Sequence, residues 1–353
     1  MKLKKNIPFL VVCLGILFLV YFFTAVRPLG RELQITPKWT IPVARNSGDE
    51  DTAVKLPFRL GQTIGYFTPD GKISSITTFP YKAAISESFF AVYGPDDSSI
   101  PIYTAAGELS GTIKKSGFPF IQNDRIYLFL PGGSSFDHCA SDGSVSWSYE
   151  GTMPVTAFSA SEAGCVAGFA DGTVKVFDRN GTIVQDYAPG GSNYQVILGA
   201  GISASGDYTA CVSGQDQQRF VLVKHLAAQN KIVLHEYLPG NVSWQVLVKF
   251  SRNGRFVCYN YKDGLGIADV ETKEIRHLPL KGRIVEIEES GSGKPVYILS
   301  RTGSTYTVSI LEAFKHIAGS FSFTADTAFI IARDGDLFIG KDGTISRMTI
   351  TKE

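Results

Sequence analysis

The feature that most constrains the fold is a short hairpin unit that recurs along the chain. Its clearest copy is residues 164–187, GCVAGFADGTVKVFDRNGTIVQDY. Runs at 165–169, 173–177 and 182–187 are separated by Asp171-Gly172 and Asn180-Gly181. Asp-Gly or Asn-Gly between apolar runs reads as a tight β-hairpin turn, here of the type I′ kind in which both central residues take positive φ. Related units follow from residue 54 onward at irregular spacings of about 40 residues, the range of propellers and solenoids.

The second strand of each unit is the easiest to trace, at 63–66, 89–93, 125–129, 165–169, 208–212, 256–259, 296–299 and 328–332. Most follow another apolar strand, such as 155–159 or 246–250, and lead into a hairpin, as around Asp70-Gly71, Asp142-Gly143 and Asp342-Gly343. Four short antiparallel strands cannot bury both faces of a sheet alone. Units arranged in a ring bury one another and leave no free interface between first and last. The sequence therefore predicts an all-β fold, a single β-propeller of seven or eight four-stranded blades over residues 54–353, with eight the favoured count. The first unit lacks a clear innermost strand. Either residues 39–44 supply a strand and there are eight blades, or the first hairpin closes a seven-bladed ring. Residues 313–316 depart from the pattern and read as a helical turn.

Composition agrees with a turn-rich β protein: 36 glycines and 12% aromatic residues. Charged residues are 19% of the chain and the net charge is +1, so no global field draws the protein to nucleic acid, and no nucleic-acid partner is expected. There are five cysteines and no C-x-x-C. Cys165, Cys211 and Cys258 occupy the same place in successive units, a repeat's width apart, and read as buried free thiols.

The N-terminus sets a second constraint. Lys2, Lys4 and Lys5 precede an uncharged run over residues 7–26, closed by Arg27 and Arg31. About 20 helical residues span roughly 30 Å, the thickness of a hydrocarbon core. Tyr21, Phe22 and Phe23 suit an interfacial aromatic belt. The run is long for a signal peptide, and its end, Phe23-Thr24-Ala25-Val26, is a poor cleavage site. Val12 before Cys13 does not suit lipidation. The sequence predicts a short cytoplasmic stretch 1–6, one transmembrane anchor 7–26 and a linker 27–53, with Trp39 and Ile41 able to dock as an added strand. The propeller would then lie on the outer, periplasmic side of a bacterial inner membrane. The acidic run at 49–51 reads as a solvated loop.

Two segments carry a family resemblance. Residues 141–149, SDGSVSWSY, resemble the outer hairpin of quinoprotein-like (PQQ-type) repeats, in which a D-G turn leads into a strand ending in Trp147. Residues 171–178, DGTVKVFD, are similar to the third strand of WD40-type repeats. The resemblance implies the WD40/quinoprotein-like β-propeller superfamily and nothing narrower.

Catalytic motifs are sparse. The five histidines, His138, His225, His235, His277 and His316, are scattered through different units without metal-ligand spacing, and there is no G-x-S-x-G elbow or phosphate loop. No cofactor or metal is expected. The charges of most interest are Glu286 and Glu288, which share a face of strand 283–290 by period two and would point into a central channel, with Lys249 beside them on the preceding blade. Paired carboxylates near a funnel can bind a cation or do acid–base work; the plainer reading is a wet channel lined by polar side chains. The expected function is a membrane-tethered scaffold that binds a protein or peptide partner. The alternative is an enzyme or small-ligand binder with its site at the channel.

Overall fold

In the computed structural model, which describes residues 7–25, 33–44, 54–226, 230–291 and 295–352, the hairpin units become eight antiparallel sheets. The chain divides into two units, Met1–Thr36 with Ile350–Glu353, and Pro37–Thr349.

The smaller unit contains the helix Ile7–Ala25. Its side chains are described from residue 11 to residue 21, and most are exposed apolar groups such as Leu17 and Phe18. Among the described residues no helix is long and apolar enough to cross a membrane. The expected transmembrane helix therefore lacks support from the described residues.

The larger unit is an eight-bladed propeller. The first strand of each blade is innermost: Leu56–Leu60, Lys82–Ile85, Phe118–Gln122, Val155–Ser161, Ile197–Ile202, Val248–Phe250, Arg283–Glu289 and Ala328–Arg333. Innermost strands of neighbouring blades pack together at every seam but that of blades 6 and 7, which Lys249 bridges, and that of blade 1 packs on that of blade 8, so the ring is closed. Blades 2 to 7 have four consecutive strands each, whereas blade 1 has three: Leu56–Leu60, Thr63–Phe67 and Ile73–Thr78.

Eight is thus the blade count, but the N-terminal strand does a different job from the one anticipated. Blade 1 finds its innermost strand in Leu56–Leu60, which is buried at Leu56, Phe58 and Leu60. The strand Leu33–Pro42, inside the stretch expected to be linker, is the outermost strand of blade 8 beside Thr344–Lys352. Pro37 lacks a ladder donor, which only an edge position tolerates.

The core lies between blades rather than in one centre. Phe220 of blade 5 stacks on Tyr259 of blade 6 at 3.9 Å and 9°. Tyr127 and Phe136 of blade 3 pack with Phe158 and Phe177 of blade 4. Phe58 of blade 1 stacks on Phe329 of blade 8 at 6.2 Å. These contacts explain why strands in the middle of a blade read as continuous apolar runs: both faces are covered.

The Asp-Gly and Asn-Gly turns differ in kind from expectation. Gly172 has φ +82° and Gly181 φ +81°, while Asp171 and Asn180 are absent from the positive-φ residues. The Gly172 N–H donates to Phe169 O and the Gly181 N–H to Asp178 O. These are three-residue connections, a type I turn followed by a left-handed glycine, rather than type I′. The Asp171 carboxylate accepts the Thr173 N–H at 3.0 Å, as Asp142 accepts Ser144 at 2.8 Å, which is why Asp precedes these glycines. The type I′ pair sits elsewhere, at Asn123 (φ 50°) and Asp124 (φ 58°) between paired Gln122 and Arg125. Residues 313–315 form the turn of a hairpin between Thr305–Glu312 and His316–Thr324, with Ala313 and Phe314 at positive φ, not a helical turn.

All five cysteines are free. Cys165, Cys211 and Cys258 lie on the second strands of blades 4, 5 and 6, and burial pushes each thiol up to about 12.

Candidate functional site

The innermost strands surround a central channel of about 1120 Å³, lined by residues from seven of the eight blades. Its wall is built unevenly. Blade 5 contributes Gly199 and Gly201 on its innermost strand, and there the blade 6 backbone closes in. A Cβ at Gly199 would lie 2.4 Å from Val246 O, and one at Gly201 2.7 Å from Val248 O. The gap is narrow enough that Gln245 of blade 6 donates across it to Thr156 O of blade 4 at 2.6 Å.

On the other side of blade 6, polar side chains make the joins. Lys249 Nζ donates to Ile287 O and to Glu288 Oε1, the latter at 3.2 Å, tying blade 6 to blade 7. Glu286 Oε2 accepts the Ile330 N–H at 3.2 Å, tying blade 7 to blade 8. A bulge between Ile284 and Glu286 re-aims the strand. From Glu286 onward period two holds, with Glu286 and Glu288 on the channel wall and Ile287 and Glu289 buried. Lys249, Glu286 and Glu288, singled out from the sequence, are therefore brought together. No histidine lines the channel with them.

Burial is the main force on the Glu286 carboxyl. The channel admits solvent, so part of its surface is accessible, yet protein encloses it. Burial, reinforced by the Glu288 charge and opposed by Lys249, pushes it up to about 7. Glu289 is raised in the same direction, again chiefly by burial, while its Oε1 accepts the Arg252 N–H at 3.0 Å. A carboxyl near 7 can exchange a proton at neutral pH. Among the described residues no group of three or more His, Cys, Asp or Glu side chains is placed to hold a metal ion.

The histidines are dispersed. His225 bonds Thr209 Oγ1 at 3.0 Å, His277 bonds Glu236 at 3.0 Å, and His316 pairs with Glu312 at 3.3 Å. His138 lies in a separate cleft of about 400 Å³ that also takes in Arg125, Arg179 and Gly164. Sequence reasoning missed this cleft. Its residues come from two blades and three hairpins, so no spacing in the chain announces it. The one local signal is the Asn123-Asp124 turn that throws Arg125 to the rim.

The structure resembles the crystal structure of BamB from Moraxella catarrhalis, with a TM-score of 0.60 over 90% of this chain and all of that one. At 12% identity the likeness is one of fold. An uncharacterized protein of Treponema pallidum (strain Nichols) is 32% identical over 361 residues, covering 99% of this chain and 96% of that protein. A family model described as beta-propeller protein matches residues 1–353, and the chain belongs to that family.

Proposed function

We propose that the chain is a protein-binding scaffold, a rigid ring tethered to a membrane by its N-terminal helix and facing the outer side of a bacterial inner membrane. One observation carries the scaffold reading. The channel side chains best suited to chemistry are engaged in holding blades together: Lys249 joins blade 6 to 7 and Glu286 joins blade 7 to 8. Groups used as ties are poorly free to turn over a substrate. They leave a stiff frame whose loops can grip a protein or peptide. The likeness to a BamB fold is consistent with such a frame. The tether is supported by the uncharged run 7–26 and by the exposed apolar side chains along the helix, whose only apolar solvent would be lipid.

A chemical crosslinking pull-down from intact membranes tests the scaffold reading. It expects one protein species captured by the wild-type chain in excess over a chain with altered surface loops. Equal recovery by both would sink it. Cell fractionation with and without residues 1–26 tests the tether: the full chain should sediment with membranes and the shortened chain should not. A full chain found only in the soluble fraction overturns it.

The second reading, a small-ligand site in the channel, is favoured by the Glu286 carboxyl near 7 inside a cavity of about 1120 Å³. It would be marked by a small molecule co-purifying with the wild-type chain and lost on Glu286→Gln.

A further inference from the structure

Away from the channel's inter-blade ties, the cleft between blades 3 and 4 holds a different arrangement of charge. Arg125 opens the second strand of blade 3, and Arg179 lies in the turn after the third strand of blade 4. Both guanidinium groups reach the same atom. Arg125 donates to Glu162 O at 3.2 Å, and Arg179 Nε donates to it at 2.5 Å. One donor suffices to satisfy a turn carbonyl. Sharing it instead holds two positive charges side by side, and among the described residues neither has a carboxylate within ion-pair distance. Asp124, on the rim, is occupied: its two oxygens accept the Ser88 N–H at 3.1 Å and the Ser88 hydroxyl at 2.7 Å.

The cleft wall includes the His138 ring. His138 Nδ1 is buried and has no hydrogen-bond partner among the described residues. The ring is held in place by stacking on Trp147 at 5.5 Å and 13°, and Trp147 in turn stacks on Phe177 and donates from Nε1 to Arg179 O at 3.1 Å. So the imidazole, the indole and the Arg179 backbone form one preorganised wall. Two guanidinium groups without a carboxylate partner line, together with His138, a cavity of about 400 Å³. Planar guanidinium forks match the oxygens of carboxylate and phosphate bidentately.

We infer that this cleft is an oxyanion-binding site that takes a carboxylate or phosphate group between Arg125 and Arg179, against the wall formed by the His138–Trp147 stack. The site stands independently of the scaffold reading. Asn123, Asp124 and Arg125 also line the channel, so the anion would sit beside its mouth.

The test uses the full chain in detergent, titrated calorimetrically with inorganic phosphate in one arm and N-acetyl-aspartate amide in the other. Trp147 fluorescence serves as a local reporter. The expected result is saturable binding of at least one probe, weakened about tenfold or more by Arg179→Gln and by Arg125→Gln. Arg179→Lys, which keeps the charge and loses the fork, should fall between. Arg179 is exposed, so its variants should melt as the wild type does and carry the test even if Arg125→Gln folds poorly. Saturation by phosphate alone assigns a phosphate site, and by the aspartate derivative alone a carboxylate site. Absence of saturable binding in both arms overturns the inference, as does equal affinity in wild type and Arg179→Gln.

Discussion

Glu286 ties two blades through a carboxyl whose proton is held near neutral pH, and the sign of its effect on stability follows. Its ordinary value is 4.5 and its folded value about 7. The folded state therefore binds the proton more tightly than the unfolded one. That contribution is fully present below the unfolded value and is lost as pH rises through about 7. Between pH 5 and 8 the loss is on the order of 2 kcal/mol, less than the full shift implies because solvent in the channel screens it. Glu286→Gln keeps an acceptor for Ile330 and removes the titration. Urea unfolding at the two pH values should show a smaller difference for the variant; an unchanged difference would mean the slope comes from elsewhere. A second buried carboxylate makes an asymmetric prediction. Asp137 is fully buried and paired at 2.7 Å with the half-exposed Lys115. Lys115→Met strands a buried charge and should cost about 2–3 kcal/mol. Asp137→Asn leaves only an imperfect hydrogen bond and should cost about 1 kcal/mol. The reverse order in a denaturation series would contradict this burial argument. At this scale the sequence was legible where one strand sets the relation. Glu286 and Glu288 share a face by period two, and Cys165, Cys211 and Cys258 recur as packing thiols. It was illegible where Arg125, His138 and Arg179 meet from separate hairpins.

Elements show what hydrophobic pattern and turn chemistry can and cannot resolve. The eight second strands are recoverable because each is a short apolar run followed by a glycine turn. Leu56–Leu60 alternates inward at Leu56, Phe58 and Leu60 but is only five residues long and carries Pro57, which argues against a strand and is tolerated only because an innermost strand is a sheet edge. Leu33–Pro42 reads as linker for the same reason: its prolines suit an edge, and its partner strand lies at the far end of the chain. Asp-Gly suits both a type I′ turn and a type I turn with a left-handed glycine, so composition alone could not choose between them. Glycines inside strands carry a sharper message. Gly199 and Gly201 let the blade 6 backbone approach to within the reach of a methyl group. Gly199→Ala places a Cβ 2.4 Å from the Val246 carbonyl, and backbone on both sides cannot yield. The variant should lose about 2–3 kcal/mol in urea unfolding. A wild-type midpoint would show that the blade 5–6 seam has more freedom than this spacing implies.

A propeller must also solve a closure problem, and the whole molecule depends on how blade 8 meets blade 1. Every other seam joins blades linked directly by chain, so loop connectivity keeps the partners near each other. At the closing seam nothing covalent does this except the N-terminal strand. That strand is the outermost of blade 8 and is followed, after residue 44, by blade 1. Its Trp39 packs on Phe338 of blade 8 at 5.9 Å and lies so near the Gly71 turn of blade 1 that a Cβ there would fall 3.1 Å from the indole. Arg347 of blade 8 donates to Pro69 O of blade 1 at 3.0 Å and is held by Asp336 at 2.6 Å. The strand thus converts an end-to-end contact into one sheet shared by both termini of the ring, limiting the entropy gained by opening it. Removing residues 1–26 leaves this strand intact and should leave the melting midpoint of the ring unchanged. Removing residues 1–44 deletes the strand and should lower the midpoint and broaden the transition. Trp39→Ala should fall between, costing about 2 kcal/mol, or roughly 5 °C for a domain of this size. If both truncations melt alike, the ring closes through the innermost strands, the stacked pair Phe58–Phe329 and the Arg347–Pro69 bond, and the terminal strand is an ornament of blade 8 rather than its latch.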